Sequence, residues 1–193
     1  MKNILLVLTL LCAGCEVQIG TPSATPTVPY LVPVKERPIV NIPLVMRQEN
    51  WLGTQREGSC VWASAISLLK WQGRPKTAAY IRRNIGNGSW PENFAERADK
   101  IGLRYAMTTN GDVKFLEWAI RTRRGAAITV LGGAHMVNIL ALDDKQACIL
   151  DNNNPDKLKW VPRDKILAEW AASYGWALTP VYAPPAPIVK REQ

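Results

Sequence analysis

Between residues 60 and 72 apolar side chains recur at helical spacing: Trp62, Ile66 and Leu69 stand at i, i+4 and i+7, with Ala65 and Leu68 beside them. The pattern predicts a helix over 60–72 with one apolar face, stopped by Gly73 and Pro75. Ser59 is the expected N-cap, which puts Cys60 in the first turn. The same reasoning predicts a helix over 77–84, a turn at Gly86, Asn87 and Gly88, and a helix over 91–100. Pro91 at its first position and Gly102 beyond its end are the expected punctuation. Residues 103–108 read as a strand, and 113–122 as a helix with Phe115, Trp118 and Ala119 on one side. Three strand candidates follow at 126–131, 135–142 and 147–152, then a helix over 162–173 and a last strand over 176–182. Helices come first and strands later, which predicts an α+β fold with a mainly antiparallel sheet.

The two ends of the chain break this pattern. Lys2, an apolar run over 4–11 and then Cys12, Ala13, Gly14 and Cys15 make a charged start, a short apolar core and a small-residue cleavage site. Such a segment is a secretory signal, too short to span a bilayer as a mature helix. Its ending resembles a bacterial lipoprotein signal, in which cleavage before Cys15 leaves that cysteine as a lipidated N-terminus. The resemblance implies a signal over 1–15 and a protein anchored by lipid to a membrane of the cell envelope. Cys12 stands where that pattern usually has leucine, and plain secretion is the alternative. Residues 16–43 are rich in Thr, Ser and Pro, with prolines at 22, 26, 29, 33, 38 and 43. They read as an extended tether, and 184–193 as a loose tail. The remaining 44–183 suffice for one domain with its own core.

Charge changes this picture little. Lys and Arg number 24 against 16 Asp and Glu, for a formal +8, and Arg82, Arg83, Arg121, Arg123 and Arg124 supply much of the excess. No nucleic-acid motif accompanies them, so they read as a solvated basic face without a specific nucleic-acid partner. The eight tryptophans are expected in the core or in the wall of a cleft.

The candidate chemistry centres on Cys60. At a helix start, free backbone N–H groups and the helix dipole favour an anionic sulfur, the form that acts as a nucleophile. His135 is the only histidine of the chain, which removes every His–His arrangement and makes it the sole imidazole available to activate a thiol. It lies after Gly132 and Gly133 at the start of an apolar strand. A third group must accept a ring N–H. The strand after His135 turns at 143–146 and returns toward Asp151, Asn152, Asn153 and Asn154. One register puts Asp151 or Asn153 on the histidine's face, the other Asn152 or Asn154. Cys148 reads as a buried free thiol; a disulfide with Cys60 is the alternative in an oxidising compartment.

Gln55, then Gly58, Ser59 and Cys60 opening a helix with Trp62 and Ala63, then Gly133, Ala134 and His135 opening a strand, then Asp151 resemble the papain-like cysteine peptidases. The nearest branch is the bacteriocin-leader (double-glycine, C39-like) peptidase domains, and the resemblance covers about residues 51–155. It implies a papain-like fold and a Cys60–His135–Asp151 triad, with Asn152 as the alternative third residue and Gln55 in the oxyanion hole. It implies peptide-bond hydrolysis through a thioester on a peptide or protein substrate, with no metal or organic cofactor. Gln55 stands five residues before the cysteine where the family usually has six, and Gln48 is too distant to replace it. Two other readings are a cell-wall peptide amidase and a non-catalytic domain of the same fold that binds a peptide or an envelope partner. The oligomeric state is left open.

Overall fold

The computed structural model describes residues 40, 42–52, 58–85 and 88–183. The expected signal with Cys15, most of the tether, Gln55, Gly86 and Asn87 of the expected turn and the tail lie outside the described residues. The described residues belong to one compact unit. Its elements are α1 (Cys60–Trp71), α2 (Pro75–Asn84), α3 (Pro91–Lys100), β1 (Tyr105–Thr108), α4 (Val113–Arg121), β2 (Ala126–Val130), β3 (His135–Leu142), β4 (Gln146–Leu150), β5 (Leu158–Pro162), α5 (Arg163–Ala172) and β6 (Ala177–Pro180). The fold is α+β, and the six strands make one antiparallel sheet in the order β1-β6-β2-β3-β4-β5.

Both faces of the sheet are covered, and alternation along a strand decides which face each side chain serves. From β3, Met136 and Leu140 join α1, α2 and α3 in one core, whereas Val137 and Ile139 join Leu116 of α4 and Trp170 of α5 in the other. With both faces covered, β2 is buried at every position and β3 at all but its last, so these strands read as continuous apolar runs.

Helix α1 departs from the expectation of one apolar face. Residues 61–69 and Trp71 are all buried, because the helix packs against the sheet on one side and α2 on another. Ser64 and Ser67 therefore point into protein and need partners: Ser67 Oγ donates to the Ala63 carbonyl and accepts from the Gln48 N–H. Pro75, expected as a stop, is instead the first residue of α2, a position at which its missing N–H costs nothing. Gly73, at φ 73°, supplies the break between the two helices.

Strand β5 is absent from the sequence reading. Its exposure alternates weakly, and it carries Lys159 and Pro162. It lies at the sheet edge, where a proline and a lysine are tolerated because no further strand pairs there. Pro162, read as a helix start, is the last residue of this strand.

Phe94 of α3 joins the front half of the chain to the sheet. Its ring lies 4.8 Å from Trp62 of α1, 5.3 Å from Tyr105 of β1 and 6.1 Å from Trp176 just before β6, centroid to centroid. Phe94→Ala should destabilise the domain by about 3–5 kcal/mol, measured as a lower denaturant midpoint. A loss under about 1 kcal/mol would show that α3 is not tied to the core through this ring.

Candidate active site

Cys60 is the first residue of α1 and His135 the first of β3. A cleft between the two elements is lined by both, together with Ser89, Trp90, Thr129 and Trp176. Ser59 takes the N-cap position, but its side chain does not cap the helix. Its hydroxyl instead donates to Asn50 Oδ1 at 2.6 Å and accepts the Trp51 N–H at 2.8 Å. The residue before Cys60 is thereby pinned to the segment around Asn50 and Trp51.

His135 Nε2 lies 2.9 Å from Asp151 Oδ1, which leaves Nδ1 for the cleft that Cys60 also lines. Burial disfavours the charged imidazole, yet the Asp151 carboxylate and the Cys60 sulfur more than offset it and push His135 up to about 9. Asp151 is held below the usual carboxylate range, chiefly by its hydrogen bond to His135. Burial opposes that shift, and the Asn153 N–H and the charges of His135 and Lys159 assist it. The Asn153 N–H donates to Asp151 Oδ1 at 2.9 Å, and Lys159 Nζ of β5 lies 3.8 Å from Asp151 Oδ2.

The register question left open by the sequence is decided by an irregularity in β3. Near the turn, Leu142 faces Ala147 and Ala141 faces Cys148; beyond it, Ile139 faces Ile149 and Asn138 faces Leu150. The pairing thus slips by one residue at Leu140, as in a β-bulge. Continued without the slip, the register at the turn would put Asn152 and Asn154 on His135's face. With it, Asp151 and Asn153 are on that face.

Asn152, the alternative partner for the imidazole, points the other way and is buried. Its amide Nδ2 lies 3.1 Å from the Cys60 carbonyl, 2.9 Å from Ser64 Oγ and 2.8 Å from the Met136 carbonyl, three acceptors that share its two N–H donors. One side chain next to Asp151 therefore holds the backbone of Cys60 and that of the residue following His135. Asn50 adds a second tie: its N–H donates to the Asn152 carbonyl at 2.8 Å, and its Nδ2 donates to Asn153 Oδ1 at 2.9 Å.

Both cysteines of the described residues are free, so the disulfide alternative does not hold in this structure. Cys148 is buried in β4, where burial pushes its thiol up to about 11 despite the opposing charge of Arg47. Gln48 Oε1 accepts from Lys70 Nζ near the far end of α1, at 3.2 Å, away from the cleft. Asn50, Ser89 and Lys159 are absent from the sequence reading of the site. A one-letter spacing pattern carries no signal for groups brought in by an upstream loop or an edge strand.

Asn152 gives a direct prediction. Asn152→Ala should cost roughly 2–4 kcal/mol, because it removes about 1 kcal/mol per hydrogen bond and leaves buried acceptors unpaired. Asn152→Asp should be worse, since a carboxylate would then face three oxygen atoms. Were Asn152 instead the imidazole's partner, the Asp variant would be the tolerated one; urea unfolding of both variants decides between the two outcomes.

The sequence matches no family model and no curated protein sequence. Solved structures match its fold. A protein of Bacillus anthracis described as a C39-like peptidase superposes with a TM-score of 0.55 at 12% identity, over 76% of this chain and 97% of that one. A double-glycine-motif protease from an AMS/PCAT transporter, solved in complex with the leader peptide, superposes with a TM-score of 0.51 at 18% identity, over 75% and 96%. The fold of this chain is that of the C39-like, papain-like cysteine peptidase domains.

Proposed function

We propose that this protein is a cysteine peptidase that hydrolyses peptide bonds with Cys60 as nucleophile, His135 as acid and base, and Asp151 as the group that orients the imidazole. The observation that carries the reading is that Cys60 and His135 line one cleft while His135 Nε2 is held 2.9 Å from Asp151 Oδ1. Such an arrangement transfers the thiol proton to the ring and holds the resulting ion pair in a cleft partly shielded from water.

The Cys60 sulfur attacks the amide carbonyl carbon, and the C–N bond breaks as His135 Nδ1 gives its proton to the departing amine. The acyl group remains on Cys60 as a thioester. His135 then takes a proton from water as the oxygen attacks the thioester carbonyl, which releases a carboxylic acid and restores the thiolate–imidazolium pair. Throughout, Asp151 accepts the Nε2–H and keeps Nδ1 facing the sulfur. The Cys60 backbone N–H and Gln55 are the proposed donors to the oxyanion. Cys15 is the proposed site of lipid attachment, which would hold the peptidase at the cell envelope.

The pH dependence follows from His135. Its raised value keeps the ring protonated through neutral pH, so activity on a peptide substrate should fall along an alkaline limb near pH 9 as the amine's proton donor is lost. The stabilisation linked to this ring is fully present below about pH 6.5 and is lost as the pH rises through about 9. Asp151→Ala removes an interaction that raises the value and should move the limb toward the ordinary 6.5. Rapid alkylation of Cys60 by iodoacetamide should slow in His135→Ala and disappear in Cys60→Ala, with Cys148→Ala as an unaffected control. A Cys60 that alkylates no faster than in denatured protein would exclude the peptidase reading.

Location has its own test. Cys15→Ala should release the protein from membranes with its fold and its Cys60 reactivity intact, because the anchor and the domain are separate stretches of the chain. Continued membrane association of the variant, followed by fractionation, would rule out a lipid anchor on Cys15.

A further inference from the structure

One amide upstream of the reactive cysteine ties its neighbour to the loop of the carboxylate. Asn50 Oδ1 accepts the Ser59 N–H at 3.0 Å and the Ser59 hydroxyl at 2.6 Å. Asn50 Nδ2 donates to Asn153 Oδ1 at 2.9 Å, and the Asn50 N–H donates to the Asn152 carbonyl at 2.8 Å. Ser59 immediately precedes Cys60, and the Asn153 N–H donates to Asp151 Oδ1 at 2.9 Å. A single side chain thus spans from the residue before the cysteine to the residue that holds the carboxylate. Asn50 itself does not line the cleft. It is half-buried and polar, so its truncation opens no cavity in either core.

The three reactive groups are not equally fixed by the sheet. His135 is paired with Val130 in the β2–β3 ladder. β4 ends at Leu150, so Asp151 lies past the last paired residue, and its loop is held from outside. The segment that carries Asn50 supplies that hold twice. Asn50 grips the loop at 152 and 153, and Arg47 Nη1 donates to the Pro155 and Asp156 carbonyls, each at 3.0 Å. The Gln48 N–H, donating to Ser67 Oγ at 2.9 Å, fixes the same segment to α1. Residues 47–50 therefore set the Asp151 loop against the helix that begins with Cys60.

The hydroxyl of Ser59 is an independent observation. A serine in the N-cap position ordinarily accepts a first-turn N–H of its own helix. Ser59 makes no such bond; it donates to Asn50 and accepts from the Trp51 and Leu52 N–H groups. Local helix stability is given up for the link to Asn50, a departure from local preference of the kind found where function sets the geometry.

Resting on the peptidase reading, we infer that Asn50 is a positioning residue for the reaction, fixing the Cys60 start of α1 and the Asp151 loop at the separation that keeps sulfur, imidazole and carboxylate together. It touches none of the reacting atoms. Such distances matter steeply, since a misplacement of about 1 Å can cost on the order of 100-fold in rate.

The test is the rate of Cys60 alkylation by iodoacetamide in the folded, full-length protein, read by mass spectrometry, with a urea midpoint for each variant. Asn50→Ala should slow the reaction about ten-fold or more, because the thiolate that reacts is maintained by the imidazole and carboxylate. A side chain that only stabilised the domain would move the midpoint and leave the rate in folded protein as it was. Asn50→Asp keeps an acceptor for Ser59 and can accept from the Asn153 amide, which is exposed and turns over to offer its Nδ2, so it should recover most of the rate. Asn153→Asp likewise keeps an acceptor for Asn50 Nδ2. The double variant sets two carboxylates face to face and should be about as slow as Asn50→Ala, far slower than the two single changes multiplied together. This non-additivity tests the bridge even where Asn50→Ala fails to fold. An Asn50→Ala rate equal to that of the unaltered protein, or single changes that simply multiply in the double variant, would overturn the positioning role and leave the peptidase reading standing. An unaltered Cys60 that alkylates no faster than in denatured protein would overturn both.

Discussion

The site depends on the buried amide of Asn152. Its nitrogen reaches the Cys60 carbonyl at the start of α1, the Ser64 hydroxyl one turn later and the Met136 carbonyl beside His135, while its own backbone continues directly from Asp151. An N–H donor so enclosed is costly unless its hydrogen bonds are made, and it is correspondingly specific about where its acceptors stand. A helix start, a central strand and a strand end are thus brought into one arrangement by a side chain that touches none of the reacting atoms. The Asn50 side chain repeats the tie nearer the surface, joining Ser59 to Asn153.

The same constraint explains the irregularity at Leu140. The pairing near the 143–146 turn and the pairing near the site differ by one residue, and only the second directs Asp151 to the imidazole while turning Asn152 toward α1. A carboxylate beside the ring stabilises its charged form; an amide there would accept a hydrogen bond without that charge. The slip thus sends the charged residue to the imidazole and the neutral donor to the buried carbonyls.

Three layers give these contacts their rigidity. β3, which carries His135, is paired on both sides and covered on both faces, so His135 projects from one of the most enclosed strands of the sheet. α1 is buried all round rather than on one face, and its first residue inherits that fixed position. The cleft between them is walled partly by groups that serve no core: Trp90 and the Ser89 hydroxyl.

The elements of the fold were largely legible in the chain. Helical and alternating periodicity, with Pro91, Gly73 and Gly102 as punctuation, located five helices and five of the six strands, because those signals are local. Cys60 at a helix start and a single histidine at a strand start were equally readable, since each depends only on its neighbours in sequence. β5 escaped because an edge strand tolerates Pro162 and Lys159 and needs little alternation. The placement of Asp151 rather than Asn152 against the ring was decided only in three dimensions, because it turns on a one-residue slip in strand pairing that leaves no periodic trace. The burial of α1 on every side, the bonding of Ser59 to Asn50 instead of its helix and the meeting of Asn50 with Asn153 are of the same kind. Each joins residues far apart in the chain, and packing between layers, rather than local propensity, sets which of them meet.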